Sequence, residues 1–386
     1  MNRRDAKLGT LLIMTLFALQ PMAFGAWLAM IPYIKETLSL SKADLALALL
    51  GMPLALIVVL QFASRIVARL GPRRTFTVGL PVQTLLILTP FLATGQISLF
   101  LALASVGAVV AFMEVALNTY AGRLEKAADT YIMSRCHGFW ALGIMVGSLL
   151  ATTLFFIGPV IAVLVICATS AAFGVWAAQT LPKLQGQEDG PVPKPQKIRD
   201  MPRALFLIAL FMLLVTLVEG AMHDWAAVYL SERQGGAPED AGLAVTIFAG
   251  FLAAGRFAGD YMKARLGARG VARLTVGLSI AGLVCATVLP GMPALFIGLA
   301  LTGLGVSIAF PLGISAAASL GDEHEAQNIA TMAMIAMSSF LIGPPLIGFL
   351  AEWLTLRVAL MLLLPGLGLA FYLTRIFPER NLTPKS

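Results

Sequence analysis

An all-α membrane protein of twelve transmembrane helices, in two pseudo-symmetric six-helix bundles, is the fold this sequence predicts. Three observations predict it. First, the chain holds about twelve apolar stretches separated by short polar breaks, each of the ~20 residues that cross a bilayer core at 1.5 Å per residue. Second, 59% of residues are hydrophobic and only 12% charged, against about 25% charged in a soluble domain. Third, a short signature repeats. Ala68-Arg69-Leu70-Gly71-Pro72-Arg73 returns 196 residues later as Ala264-Arg265-Leu266-Gly267-Ala268-Arg269, and Trp27 and Trp225 lie near the ends of the first span of each half. Duplicated halves are the plan of many secondary transporters, which place their substrate site between the halves near mid-membrane.

Taken in order, the spans are read at 8–31, 44–68, 75–95, 97–120, 134–157, 160–181, 204–230, 242–262, 273–290, 294–319, 328–351 and 354–377. The first is too long for a signal-peptide core and is read as retained. The 36 Gly and 21 Pro suit spanning helices, which approach closely at Gly and tolerate Pro where neighbours satisfy the freed carbonyls. Between spans six and seven, Pro182 to Met201 is rich in Gly, Pro, Gln and Lys and reads as a flexible linker. The expected organisation is a bundle over 1–182, a cytoplasmic linker over 183–202 and a second bundle over 203–386.

The net charge of +7 is a topology signal in such a chain and not a nucleic-acid surface. With the N-terminus inside, 22 of the 27 Lys and Arg fall on the cytoplasmic side, and only Lys35, Lys42, Arg233 and Arg357 fall outside. Both termini and the linker are therefore expected in the cytoplasm of a cell inner (plasma) membrane. The loop Gly321 to Ala326 dissents with Asp322, Glu323 and Glu325, but acidic residues weigh little in this rule. Cys136, Cys167 and Cys285 have no paired spacing, so neither a disulfide framework nor a metal site is suggested, and no cofactor is expected.

Ionisable residues inside spans are functional candidates by default. Gly107, Ala111, Glu114 and Asn118 form one small, polar stripe of span four. Glu114 stands about two turns from the inner end, a place that suits a reversible proton carrier. The competing reading is a structural carboxylate fixed by Arg123, Arg135 or His137. Span seven carries Thr216, Glu219 and His223 on one face, with Asp224 and Trp225 following, and Glu219 is placed to hydrogen-bond His223 one turn away. Proton coupling is assigned to Glu114, Glu219 and Asp224. Arg256 in span eight can snorkel or pair with Asp260 at i+4, and a gate of Arg69, Arg73, Arg256 and Asp260 is expected. Gln20, Phe24, Trp27 and Ile31 share a face of span one. Gln20, Trp27, Asn118, His137, His223, Trp225 and Ser307 are the candidate substrate contacts, with spans 1, 4, 7 and 10 lining the path. Trp27 and Trp225 read equally as interfacial belts, and Ser307 as a tight helix contact.

The basic loop after span two, repeated after span eight, resembles the signature loop of the major facilitator superfamily. It is degenerate, with Ala68 where that family carries Asp and Ser64 where it carries Gly. Trp27 to Glu36, Met113 to Tyr120, Ser134 to Gly143, Glu219 to Leu230 and Gly343 to Gly348 resemble its MosC/YbjJ-like branch, which is related to fucose permease. That resemblance implies proton coupling and sugar binding by Glu114, with Asn118 beside it. The fucose permease Asp on the first helix falls at Leu28, which argues against fucose itself. The antiporter pattern of span five is absent, although Gly143 and Gly147 are present.

The expectation is a proton-coupled transporter of a small polar organic solute, a sugar, polyol or related metabolite, working as a monomer in the lipid bilayer. A proton-driven exporter of drugs or metabolites is the alternative. No phosphate loop, His-Glu-x-x-His or Ser-His pair stands at matching depth, so an enzyme is not expected.

Overall fold

A computed structural model describes residues 3–184, 199, 201–320 and 325–379, and among these there is no strand. The helices are α1 (Arg3–Thr37), α2 (Lys42–Leu49), α3 (Gly51–Leu70), α4 (Pro72–Leu86), α5 (Gln96–Ala128), α6 (Met133–Thr153), α7 (Pro159–Thr180), α8 (Arg203–Arg233), α9 (Gly242–Thr287), α10 (Met292–Val306), α11 (Ala309–Ala318), α12 (Glu325–Trp353), α13 (Leu356–Met361) and α14 (Leu364–Leu373). Most of the expected linker, all but one residue of 185–200, lies outside the described residues. So do residues 321–324 of the acidic loop, and Lys194, Lys197, Arg380 and Lys385.

Eleven helices among the described residues are long and apolar enough to cross a membrane, one fewer than the sequence predicted. The difference lies in α9. Its 46 residues would run about 69 Å, more than twice the ~30 Å hydrocarbon core. It holds both of the spans read at 242–262 and 273–290, and its backbone leaves the helix at Gly267, with φ 71° and ψ 172°. Gly71 has nearly the same conformation, φ 79° and ψ 150°. That left-handed region is one only glycine enters readily. Both glycines thus break the helical backbone at matching places, with Pro72 following the first and Ala268 the second. Other spans are divided too, the second at Leu50 into α2 and α3. Span ten breaks near Ser307 and Ile308 into α10 and α11, and the last span divides into α13, α14 and a short 3₁₀ turn, Thr374–Ile376.

Other features repeat with the same offset. A Cβ on Gly107 of α5 would lie 2.1 Å from the Met52 carbonyl oxygen, and one on Gly303 of α10 would lie 2.4 Å from that of Phe248. Both glycines let two helices touch backbone to backbone. Arg73 donates to the Ala178 carbonyl (3.2 Å) and to that of Gln179 at the end of α7. Arg269 does the same at the end of the last span, donating to the Phe377 and Arg375 carbonyls at 2.8 Å each. A cation there satisfies carbonyls that have no partner within their helix.

The apolar core is continuous at one end of the molecule and divided at the other. One cluster joins α1, α2 and α6 to α8 and α9, with Trp27 and Trp225 both in it. A second is confined to the first half around Phe17, Phe76, Leu117 and Cys136, and a third to the second half around Leu205, Met212 and Met332. At the continuous end the halves are also pinned by charge. The Glu352 carboxylate of α12 accepts from the Lys42 and Ala43 amides at the start of α2 (3.0 and 3.3 Å). The Lys42 ammonium reaches Glu232 of α8 at 3.1 Å.

Candidate functional site

The two halves meet along α6 and α9, and the ionisable groups deepest in the spans gather beside that seam. Glu219 of α8 is buried, and its Oε1 accepts from Arg256 Nη2 of α9 at 2.7 Å. The second Arg256 nitrogen donates to the His137 carbonyl of α6 at 3.3 Å, and the guanidinium lies 5.7 Å from the Trp140 ring centroid. One side chain thus neutralises an acid of the second half while it touches backbone and ring of the first. Burying both charges is costly in a low dielectric, and the short bond and the second contact to a carbonyl offset part of that cost.

His223, one turn beyond Glu219, is 1% exposed. Its imidazole is ringed by Phe248 (5.2 Å), Phe24 (6.2 Å) and Trp140 (6.2 Å). Neither ring nitrogen has a hydrogen-bonding side chain or backbone partner. The expected Glu219–His223 hydrogen bond is not formed: Nε2 is 3.9 Å from Oε1, which is turned instead to Arg256. The cost of an unpaired buried polar atom is about 1–3 kcal/mol.

Glu114 of α5 stands differently. Its neighbours are neutral: Asn118 donates to the Glu114 carbonyl (2.9 Å) and to Oε2 (3.4 Å), and the Trp140 indole stands beside it. Of the proposed clamps, Arg135 turns to the Tyr131 carbonyl and His137 packs between Phe17 and Phe310.

The structure brings Glu114, Asn118, His137, Glu219, His223 and Arg256 into this one region, and leaves other candidates elsewhere. Gln20 points between α4 and α7 and donates to Gln83 Oε1 at 3.1 Å, not toward the seam. Trp27 and Trp225 are fully buried and so form no interfacial belt. Ser307 is pressed on Gly255, where a Cβ would come within 2.1 Å of its hydroxyl, as a tight contact between α9 and α10. Asp224 is half-buried one turn beyond Gly220, on the side of α8 that meets Phe340 of α12. The expected gate is not assembled. Asp260 is exposed and Arg256 is taken by Glu219, Arg69 is exposed, and Arg73 braces its own half.

The residue that sequence reasoning missed is Trp140. It touches Arg256, His223 and Phe24 and stands beside Glu114. Its signal was present, since it follows His137 by three residues and so shares its helical face. Beside residues of the expected spans 1, 4 and 7, α6 and α9 add Trp140, Phe248 and Arg256 to this region.

Comparison with known proteins agrees with this fold. The sequence matches the family described as Major Facilitator Superfamily over residues 12–237 and 222–386. It is 28% identical over 347 residues to an uncharacterized MFS-type transporter of Yersinia pestis, covering 89% of each chain. It is 26% identical to membrane protein MosC of Rhizobium meliloti, covering 95% of this chain and 89% of that one. Among solved structures, a mutant of the nucleoside transporter NupG superposes with a TM-score of 0.77 at 13% identity, over 96% of this chain and 100% of that one. A bacterial homolog of the human lysosomal transporter Spinster, inward-facing and unoccupied, gives 0.70 at 12% identity over 98% of both. At these identities the structural likeness is one of fold.

Proposed function

This chain belongs to the major facilitator superfamily, and on that premise we propose proton-coupled transport of a small polar organic solute, a sugar, polyol or related metabolite. The family is one of multi-pass membrane transporters and not of enzymes, so secondary transport is the setting. Within it we read twelve spans as two six-helix halves, 1–182 and 203–386, joined by the 183–202 linker, with α9 counted as two spans about Gly267. The signature glycines and the Arg73 and Arg269 braces support that division. The protein acts as a monomer in the inner membrane with both termini cytoplasmic. The end pinned by Glu352 then faces outward, and the divided end faces the cytoplasm.

The observation that carries proton coupling is Glu114: an ionisable group near the seam whose neighbours are the neutral Asn118 amide and Trp140 indole. Such a group gains or loses a proton without breaking an ion pair. Rocking of the halves then exposes it to each side in turn. Asp224, half-buried and outside the cluster, is second in line. Glu219 holds Arg256 and contributes fixed charge balance.

The test is Glu114→Gln in proteoliposomes, with a panel of labelled sugars and polyols and an imposed pH gradient. The variant is expected to exchange solute across the membrane at near the wild-type rate and to lose gradient-driven accumulation. Accumulation at the wild-type level would move coupling to Asp224 or Glu219. The exporter reading draws on the aromatic wall of Phe24, Trp140, Phe248 and Phe310, and is favoured if only lipophilic members of a broader panel move.

A further inference from the structure

Resting on the polar-solute reading, we infer that His223 is the hydrogen-bonding centre of a subsite for an electrically neutral, hydroxylated ring. Three observations lead there. The first is the unpartnered imidazole. A neutral imidazole offers one donor and one acceptor, and both nitrogens of this buried ring lack a partner from the chain. A hydroxyl group also donates and accepts, so adjacent hydroxyls of a sugar or cyclic polyol meet both nitrogens.

The second is the wall. Phe24 comes from α1, Trp140 from α6 and Phe248 from α9, all within 6.2 Å of the imidazole centroid. With His223 on α8, each half of the chain supplies two of the four rings. Aromatic faces suit the C–H faces of a saturated hydroxylated ring, which gives the solute an apolar side to bury while its hydroxyls are held. Because both halves contribute, rocking alters the subsite, as an alternating-access carrier requires.

The third is charge. Arg256 is the cation closest to His223, and its charge is spent on Glu219 at 2.7 Å and its second donor on the His137 carbonyl. Nothing there compensates an anionic solute, and an uncompensated charge is strongly disfavoured in a dry site. A cationic solute has one candidate counter-ion, Glu114. On the proton-coupled reading Glu114 carries its proton when the solute is bound, and so offers no charge.

The experiment measures binding to the detergent-purified full chain by quenching of tryptophan fluorescence. The probes are neutral sugars and polyols, each beside its carboxylate and amine counterpart, such as D-glucose, D-glucuronate and D-glucosamine, with tetraphenylphosphonium as a lipophilic cation. A neutral member is expected to bind at least tenfold tighter than both charged counterparts. His223→Phe is expected to weaken it tenfold or more, and His223→Gln, which keeps a donor and an acceptor, by no more than about threefold. Gel-filtration elution at the wild-type volume establishes that both variants fold. Equal binding by His223→Phe, with the neutral preference intact, overturns the role of His223. An amine that binds as tightly as the neutral ring overturns the neutral subsite and makes Glu114 a counter-ion, and a carboxylate that does so also overturns it. Both of those results leave the polar-solute reading standing. Binding of tetraphenylphosphonium with no neutral sugar or polyol bound overturns that reading and this inference together.

Discussion

Glu114 and Glu219 are carboxylates at the same seam, one in each half, and their surroundings are opposite. Glu219 is buried and bonded to a guanidinium at 2.7 Å. Glu114 is half-buried and meets an amide and an indole. Removing the proton partner of a group in a neutral shell changes one charge. Protonating a group inside an ion pair also strands the other charge, and a stranded buried charge costs several kcal/mol. Sequence alone assigned proton coupling to both residues. On the reading proposed above, the difference divides them: Glu114 changes state, and Glu219 holds an arginine in place between the halves.

The largest expected effect comes from breaking the fixed pair. Arg256→Met leaves Glu219 buried without its cation and is expected to destabilise the protein by about 3–5 kcal/mol, with loss of transport and of exchange. Adding Glu219→Gln removes the stranded charge and is expected to restore most of the stability, because replacing both members of a buried pair is often near neutral. Glu114→Gln, by contrast, is expected to move stability by less than about 1 kcal/mol. Thermal unfolding in detergent of the wild type, Arg256→Met, Glu219→Gln and the double variant gives the coupling energy. A coupling near zero between positions 219 and 256 erases the contrast.

Much of this contrast could not be read from the chain. The depth of Glu114 and its stripe with Asn118 followed from helical spacing within one span, and the signature repeat predicted the backbone turns at Gly71 and Gly267, which share a left-handed conformation. Local rules reach that far. Arg256 and Glu219 are 37 residues apart on different helices, and no periodicity fixes how α8 is rotated against α9. Sequence therefore offered Arg256 its own helix neighbour, Asp260, which proves to be exposed. Gln20 failed for the same reason: it shares a helical face with Phe24, yet its reach takes it to Gln83 of α4.

Trp140 touches both acids' surroundings, so Trp140→Phe sharpens the comparison at a smaller cost. It keeps an aromatic face near Arg256 but removes the indole N–H beside Glu114 and weakens the cation–π contact, which is worth roughly 0.5–2 kcal/mol. The expected result is a loss of stability of about 1 kcal/mol and a several-fold fall in gradient-driven accumulation, with exchange less affected. If exchange and accumulation fall together, Trp140 serves the solute alone and not Glu114.

The smallest effect is expected at Asn118. Its amide donates best to a backbone carbonyl of its own helix, at 2.9 Å, and only at 3.4 Å to the Glu114 carboxylate. A bond at that length is at the weak end of the range. Asn118→Ala is therefore expected to change accumulation by less than about fivefold, the equivalent of ~1 kcal/mol. Asn118→Asp is the sharper probe, since it sets a like charge one turn from Glu114, where the two carboxylates cannot both ionise freely. It is expected to displace the pH dependence of accumulation while Asn118→Ala leaves that dependence in place. Accumulation measured against internal pH in proteoliposomes distinguishes them. Should Asn118→Ala abolish accumulation as fully as Glu114→Gln, the amide is itself part of the proton step, and the neutral shell around Glu114 is an active component of coupling.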